Sequence, residues 1–119
     1  MFGQKNVQWY MIFSSMELAK QQLAVNKVVA VEVGEKRICL ARTEKGFFAL
    51  DEKCPHKKLP ITSGGFCEKG TVVCPFHRYA WDLKTGREVE RRDDNINLYP
   101  VEERENGLFV GIKQKKSWF

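Results

Sequence analysis

Short apolar segments, separated by polar turns, recur along most of this chain of 119 residues. The segment Val7–Phe13 is aromatic and apolar and Val28–Val33 is mostly β-branched, so each of them predicts a strand. The turn Gly34-Glu35-Lys36 follows, and residues 37–42 predict the return strand of an antiparallel pair. Residues 47–50 are again apolar and predict a further strand. This succession indicates an antiparallel sheet assembly.

Only one stretch of the chain has the signals of a substantial helix. Ser14 is a candidate N-cap, and Glu17 three residues later completes a capping box. The pattern predicts a short helix that continues through about Leu23.

The end of the chain predicts a final hairpin. Residues 97–104 and 108–112 are the two candidate strands, joined across Glu105-Asn106-Gly107, where Asn-Gly suits a type I′ turn. The fold class predicted by these patterns is all-β with one short helix. We expect Trp118 and Phe119 to pack on the body of the domain or against a neighbouring chain.

The candidate chemistry lies between residues 54 and 82. Both histidines of the chain occur there, in Cys54-Pro55-His56 and, after seventeen residues, in Cys74-Pro75-Phe76-His77. Thiolate and imidazole ligands suit iron or zinc rather than calcium or magnesium. Each proline fixes a backbone φ angle and so stiffens its short segment. The two motifs therefore predict one metal centre held from two sides by Cys54, His56, Cys74 and His77.

Zinc is the alternative metal for such a set, because it also accepts two cysteines and two histidines. Zinc modules usually pair cysteine with cysteine and histidine with histidine, whereas each motif here contains one of each. The mixed spacing favours iron, and a zinc-stabilised interaction module stays as the alternative.

The pattern resembles the Rieske iron–sulfur signature, in which two cysteines hold one iron of a [2Fe–2S] cluster and two histidines hold the other. The resemblance covers residues 54–86 and includes the run Trp81-Asp82-Leu83-Lys84-Thr85-Gly86. It implies a Rieske-like antiparallel β-sandwich with a small cluster-binding subdomain at about residues 54–82. It also implies that Cys54 and Cys74 bind the inner iron, while His56 and His77 bind the outer one.

Departures from the respiratory members of that family narrow the resemblance. Leu59 and Phe76 occupy the places of two further cysteines, so the disulfide of those members cannot form. Tyr79 and Trp81 occupy the places of a serine and a tyrosine that donate to sulfur, which predicts a low reduction potential. Arg78 stands where many relatives have glycine, so an altered turn is expected there. The chain thus resembles the ferredoxins of bacterial oxygenase systems rather than a respiratory Rieske protein.

Length, charge and cysteine use agree with a small soluble carrier. A chain of 119 residues fits one domain, 1–119, and is too short to add a catalytic oxygenase domain. Residues 1–6 lack the apolar centre of a signal peptide, and no apolar run reaches the ~20 residues of a membrane span. We therefore expect a cytoplasmic protein without membrane association. In a reducing compartment Cys39 and Cys67 are expected to be free thiols that take no part in the metal site.

The net charge of +5 suits an acidic protein partner. The positive residues are scattered rather than gathered in a basic helix, so nucleic-acid binding is not expected. The resemblance implies a non-catalytic one-electron carrier that passes electrons from a reductase to a terminal oxygenase. A small subunit resembling that of assimilatory nitrite reductase is the alternative, because it would share the fold and the ligands.

Overall fold

A computed structural model describes residues 6–55 and 57–114 of the chain. Within them lie ten strands and one helix, in the order β1 (Val7–Phe13), α1 (Met16–Gln22), β2 (Val28–Val33), β3 (Lys36–Thr43), β4 (Gly46–Asp51), β5 (Phe66–Glu68), β6 (Thr71–Val73), β7 (Ala80–Asp82), β8 (Leu98–Tyr99), β9 (Val101–Arg104) and β10 (Gly107–Lys113). Among these residues there is no helix of the length and apolar character that crossing a membrane requires.

The central sheet has the strand order β2-β3-β4-β8 and is antiparallel throughout. Strand β2 pairs with β3 from Val28↔Ala41 to Val33↔Lys36, which confirms the predicted hairpin. A core lies on each face of this sheet. Successive side chains of a strand point to opposite faces, so each strand contributes to both cores. Along β3, Ile38 and Leu40 enter one core while Cys39 and Ala41 enter the other.

The first core lies between the central sheet and a second sheet of order β1-β10-β9. Leu108 and Val110 of β10 pack there with Ile38, Leu40 and Ala49 of the central sheet. The second core joins the central sheet to a small third sheet of order β5-β6-β7. The prediction of an all-β antiparallel assembly with one short helix is thereby confirmed.

The helix begins one residue later than predicted. Its N-cap is Ser15, whose hydroxyl accepts the backbone N–H of Leu18 at 3.0 Å, so the prediction of Ser14 as N-cap was wrong. Both serines have the capping side chain, and tertiary packing decides between them. The backbone of Ser14 still lies beside Gly107, directly after the end of β1.

The predicted strand 97–104 is in fact divided between two sheets. Strand β8 pairs with β4 in the central sheet, and β9 pairs with β10 in the second sheet. Pro100 lies between them and has no backbone N–H to continue a ladder, so the chain changes sheets there. The final turn also differs from the prediction, because Gly107 already pairs with Arg104 and the two turn residues are Glu105 and Asn106.

Strands β5 and β7 were not predicted, because Phe66–Glu68 and Ala80–Asp82 lack the β-branched residues that mark a strand. They flank β6, Thr71–Val73, whose three residues are all β-branched and so predict a strand from the sequence. The predicted packing of Trp118 and Phe119 lies outside the described residues.

Candidate metal centre

Two short loops of matching construction carry the predicted cysteines. In the first, residues 54–59, the backbone N–H of Cys54 donates to the carbonyl of Leu59 at 2.9 Å. In the second, residues 74–79, the N–H of Cys74 donates to the carbonyl of Tyr79 at 2.8 Å. We call these the first and second ligand loops. Each is therefore closed across its base by a hydrogen bond from its own cysteine.

Regular structure anchors both loops. The first follows β4, and a bridge between Lys53 and Pro60 closes its stem. The second connects β6 to β7, whose residues Val73 and Ala80 pair directly below it. Because both stems are paired backbone, each cysteine is presented from a fixed position.

The structure brings the two cysteine side chains together. Cys54 is 3% exposed and Cys74 is 1% exposed, and both side chains belong to the same buried cluster. Burial raises the pKa of Cys74, the backbone N–H of Phe76 lowers it by donating to the sulfur, and the nearby Cys54 raises it again. Two buried thiols from separate loops, one with a backbone donor, form a donor set that fits an iron–sulfur cluster.

His77 follows the second cysteine on the exposed side of its loop. Its φ is +69° and that of Arg78 is +57°, so two consecutive non-glycine residues adopt the left-handed conformation. The arginine thus adopts the backbone conformation that favours glycine, at a cost of about 1 kcal/mol.

His56, the fourth predicted ligand, lies outside the described residues. Within residues 6–55 and 57–114, no three or more His, Cys, Asp or Glu side chains gather closely enough to hold a metal ion. The described structure thus brings together Cys54 and Cys74, and places His77 on the same loop as Cys74.

Cys39 and Cys67 lie outside the ligand loops, on β3 and β5. Both are free and buried. Burial raises the pKa of the Cys39 thiol strongly, and it raises the pKa of Cys67 to about 11. Since the thiolate is the form that binds metal, neither side chain is suited to compete with the loop cysteines.

A buried carboxylate that the sequence does not reveal lies next to the second ligand loop. The Glu88 side chain is fully buried and accepts the backbone N–H groups of Ala80, Glu90 and Arg92 at 3.1, 3.0 and 2.8 Å. Arg92 also donates from its guanidinium to Glu88 at 2.8 Å. In the sequence this segment is a run of charged residues, and such a run usually indicates a solvated loop. No local pattern marks Glu88 as internal.

Trp81, at the place of a sulfur donor in respiratory relatives, is directed elsewhere. Its indole N–H donates to the carbonyl of Asp94 at 3.0 Å, and the side chain is fully buried. The indole therefore connects Asp94 to β7, and its N–H does not donate to sulfur.

Comparison with known proteins identifies the family. Residues 8–100 match the model of the Rieske [2Fe-2S] domain. The chain belongs to the Rieske [2Fe-2S] domain family. The family match implies a [2Fe–2S] cluster, and the paired thiols of the ligand loops fit such a cluster.

Two curated relatives are components of oxygenase systems. The chain is 28% identical over 80 residues to the 3-phenylpropionate/cinnamic acid dioxygenase ferredoxin subunit of Photorhabdus laumondii, covering 66% of this chain and 76% of the relative. It is 24% identical over 82 residues to the ferredoxin component of the alkene monooxygenase system of Xanthobacter autotrophicus, covering 69% and 67%. Both relatives are named as ferredoxins rather than as catalytic subunits.

Solved structures share the fold. One is a terminal oxygenase of carbazole 1,9a-dioxygenase from Nocardioides aromaticivorans, with a TM-score of 0.74 and 24% identity, covering 97% of this chain and 32% of that one. Another comes from a complex of reduced oxygenase and oxidized ferredoxin in carbazole 1,9a-dioxygenase, with a TM-score of 0.72 and 20% identity, covering 92% and 97%. This Rieske protein spans about a third of the oxygenase chain and almost all of the second chain.

Proposed function

We propose that this Rieske protein is the ferredoxin component of an oxygenase system and passes single electrons from a reductase to a terminal oxygenase. The carrying observation is the pair of matched loops, which places two buried thiols close together and a histidine on the surface just beyond them. In this proposal the Rieske protein is an electron-transfer component, and the oxygenase carries out the catalysis.

Cys54, Cys74, His56 and His77 are the proposed cluster ligands, with the cysteines on the inner iron. When bound, a [2Fe–2S] cluster supplies a centre that accepts and releases one electron. The chain contributes the environment: the two sulfurs are buried, and the Phe76 N–H donates to one of them. The exposed His77 offers a short route between the interior and a docked partner.

The surface around the ligand loops suits an acidic partner. Lys53, Lys57, Lys58 and Arg78 are all exposed there. Charges of one sign around the exit of the electron speed the encounter with a partner of opposite sign. Screening acts over about 8–10 Å at physiological ionic strength, so the association rate should fall as salt is added.

The proposal also includes one Rieske domain over residues 1–119, with a cluster-binding subdomain at about 54–82, and a cytoplasmic location. The free thiols of Cys39 and Cys67 support a reducing compartment. The third sheet, β5-β6-β7, and both ligand loops lie inside the proposed subdomain range.

Matched cysteine variants test the ligand set. Cys54→Ser and Cys74→Ser should lose the visible absorption and the reduced-state paramagnetic resonance of a Rieske cluster, together with its two irons. Cys39→Ala and Cys67→Ala should retain both signals, because their thiols are outside the loops. Full cluster content in a Cys54 or Cys74 variant, or a single zinc ion in the wild type, would overturn the assignment.

Carrier function needs a second measurement on the loaded protein. Titration with dithionite should consume one electron per protein and be reversible on reoxidation. Stopped-flow mixing of the reduced protein with its oxygenase should give electron transfer that slows as salt is added. Stable co-purification with a nitrite reductase would instead support the alternative function.

A further inference from the structure

The buried carboxylate of Glu88 forms a neutral unit with Arg92. An isolated ionised carboxylate is costly to bury, so a fully buried one needs a charged partner and several hydrogen bonds. Arg92 and three backbone N–H groups provide them, at distances between 2.8 and 3.1 Å. The ion pair is asymmetric, because the Arg92 side chain is 37% exposed while that of Glu88 is 0% exposed.

Arg92 connects this pair to the second ligand loop. Its guanidinium carbon lies 4.3 Å from the ring centre of Tyr79, within the distance of a cation–π contact. The carbonyl of Tyr79 accepts the Cys74 N–H. The centre of the Tyr79 ring lies 6.4 Å from the centre of the His77 ring. Arg92 therefore covers the residue that closes the loop and neighbours the exposed histidine.

The segment 88–94 is held to β7 at several points. Val89 donates its N–H to the carbonyl of Ala80 at 2.8 Å, and Ala80 donates to Glu88. The Asp94 carbonyl accepts the Trp81 indole N–H. Because these contacts fix the segment, the charges of Glu88 and Arg92 occupy constant positions relative to the second ligand loop.

We propose that Glu88 and Arg92 are positioning residues for the second ligand loop, and that their opposed charges shift the reduction potential of the cluster in opposite directions. The potential of the wild type then lies between the higher value that Arg92 alone would give and the lower value that Glu88 alone would give. The proposal rests on the ligand set given above, because it requires the cluster at these loops.

The two charges predict shifts of opposite sign. Reduction adds a negative charge to the cluster, so a nearby positive charge favours the reduced state and a negative charge opposes it. Glu88→Gln leaves Arg92 without its counter-charge and should raise the midpoint potential. Arg92→Gln leaves a buried carboxylate and should lower it. The double variant should lie between the two single variants, near the wild type.

A purely structural role would give a different result. If the pair only supported the fold, removing either partner would loosen the same contacts and move the potential in the same direction. Shifts of the midpoint potential in opposite directions for Glu88→Gln and Arg92→Gln therefore distinguish electrostatic control from general disorder of the loop.

Glu90→Gln is the matched control for the loss of one negative charge. Glu90 lies in the same segment and its nearest side-chain oxygen is 3.8 Å from Arg92, but its side chain is 69% exposed. Water screens an exposed charge strongly. Its substitution should shift the potential by less than half of the Glu88→Gln shift.

The experiment uses cluster-loaded protein throughout. Iron content and the paramagnetic resonance of the reduced state first establish loading, and film voltammetry at neutral pH then gives each midpoint potential. Loss of the cluster in the Cys54 and Cys74 variants tests the ligand set. Shifts of the midpoint potential among variants that still bind the cluster test the ion pair. Shifts of equal sign, or no shift in either single variant, would overturn the proposal.

A conservative substitution keeps the test decisive if Glu88→Gln does not fold. Arg92→Lys retains the positive charge and should keep a potential close to that of the wild type, while Arg92→Gln should lower it. Equal potentials in these two variants would show that the charge of residue 92 does not act on the cluster.

Discussion

The ionised state of Glu88 should also contribute to stability, in a way that depends on pH. Burial alone would raise its pKa, but hydrogen bonds from the Arg92 side chain and from the N–H groups of Arg92, Ala80 and Glu90 outweigh burial and lower the pKa from 4.5 to about 2. One pKa unit corresponds to about 1.36 kcal/mol, so this difference contributes about 3 kcal/mol at neutral pH.

The sign of the pH dependence follows from the lowered pKa. The contribution is complete well above 4.5, the ordinary pKa of the group, and is lost as pH falls from there towards 2. Glu88→Gln removes it at every pH. We therefore expect the variant to be about 3 kcal/mol less stable than the wild type at pH 7, with the gap about 1 kcal/mol smaller at pH 4.

Urea unfolding of the cluster-loaded proteins, followed by tryptophan fluorescence, measures this gap at both pH values. Cluster content is measured in each sample, and the wild type and the variant are compared at each pH at equal cluster content. Glu90→Gln is the control and should change the free energy of unfolding by less than about 0.5 kcal/mol, because that side chain is 69% exposed. A gap that is below 1 kcal/mol at pH 7, or that widens at pH 4, would refute the reasoning.

Three further outcomes are expected. Gly86→Ala should destabilise the protein by about 1–3 kcal/mol more than Gly70→Ala, and thermal unfolding compares the two variants. Both glycines have positive φ, +81° and +77°, but only at Gly86 would a Cβ clash with the carbonyl oxygen of Ile96. Trp81→Phe should reduce stability, because it removes the indole hydrogen bond to Asp94 that holds residues 88–94. It should not give the lowered midpoint potential that the loss of a hydrogen bond to sulfur causes, because the indole N–H does not donate to sulfur; a lowered potential in voltammetry would contradict this. The wild-type midpoint should lie near the lower end of the roughly −150 to +300 mV range of Rieske centres, and a value well above zero would mean that the cluster receives donors beyond those described.

Sequence reasoning was most successful where a periodic pattern was long enough. Val28–Val33 is mostly β-branched and ends at a glycine turn, so its pairing with the next strand was predicted, although Lys36, predicted in the turn, already pairs with Val33. The Cys-Pro pairs at residues 54 and 74 likewise predicted two loops that present their cysteines to one site, and both side chains lie in one buried cluster, while the ligand set itself stays a prediction. Local chemistry was sufficient in these two cases.

The features that sequence reasoning missed depend on contacts distant in the chain. Ser14 and Ser15 have the same capping side chain, so the sequence does not distinguish them, and the structure has Ser15 as the N-cap. Pro100 is compatible with the end of a strand or with a change from one sheet to another. The structure shows the change of sheet, with β8 in the central sheet and β9 in the second sheet. Glu88 lies in a run of charged residues, and although its partners Glu90 and Arg92 are close in sequence, its burial also involves Ala80, eight residues earlier on β7.

The hydrogen bond across the base of each ligand loop has a consequence for the rate of electron transfer. An electron can move only as quickly as the surrounding atoms adjust to the new charge. Cys54 and Cys74 are attached to backbone that is already fixed at both ends of its loop, and the consecutive left-handed residues His77 and Arg78 restrict the second loop further. The protein atoms nearest the centre should therefore shift little between oxidation states. A small reorganisation energy favours rapid transfer in both directions, so the same loops serve an electron that arrives and an electron that leaves.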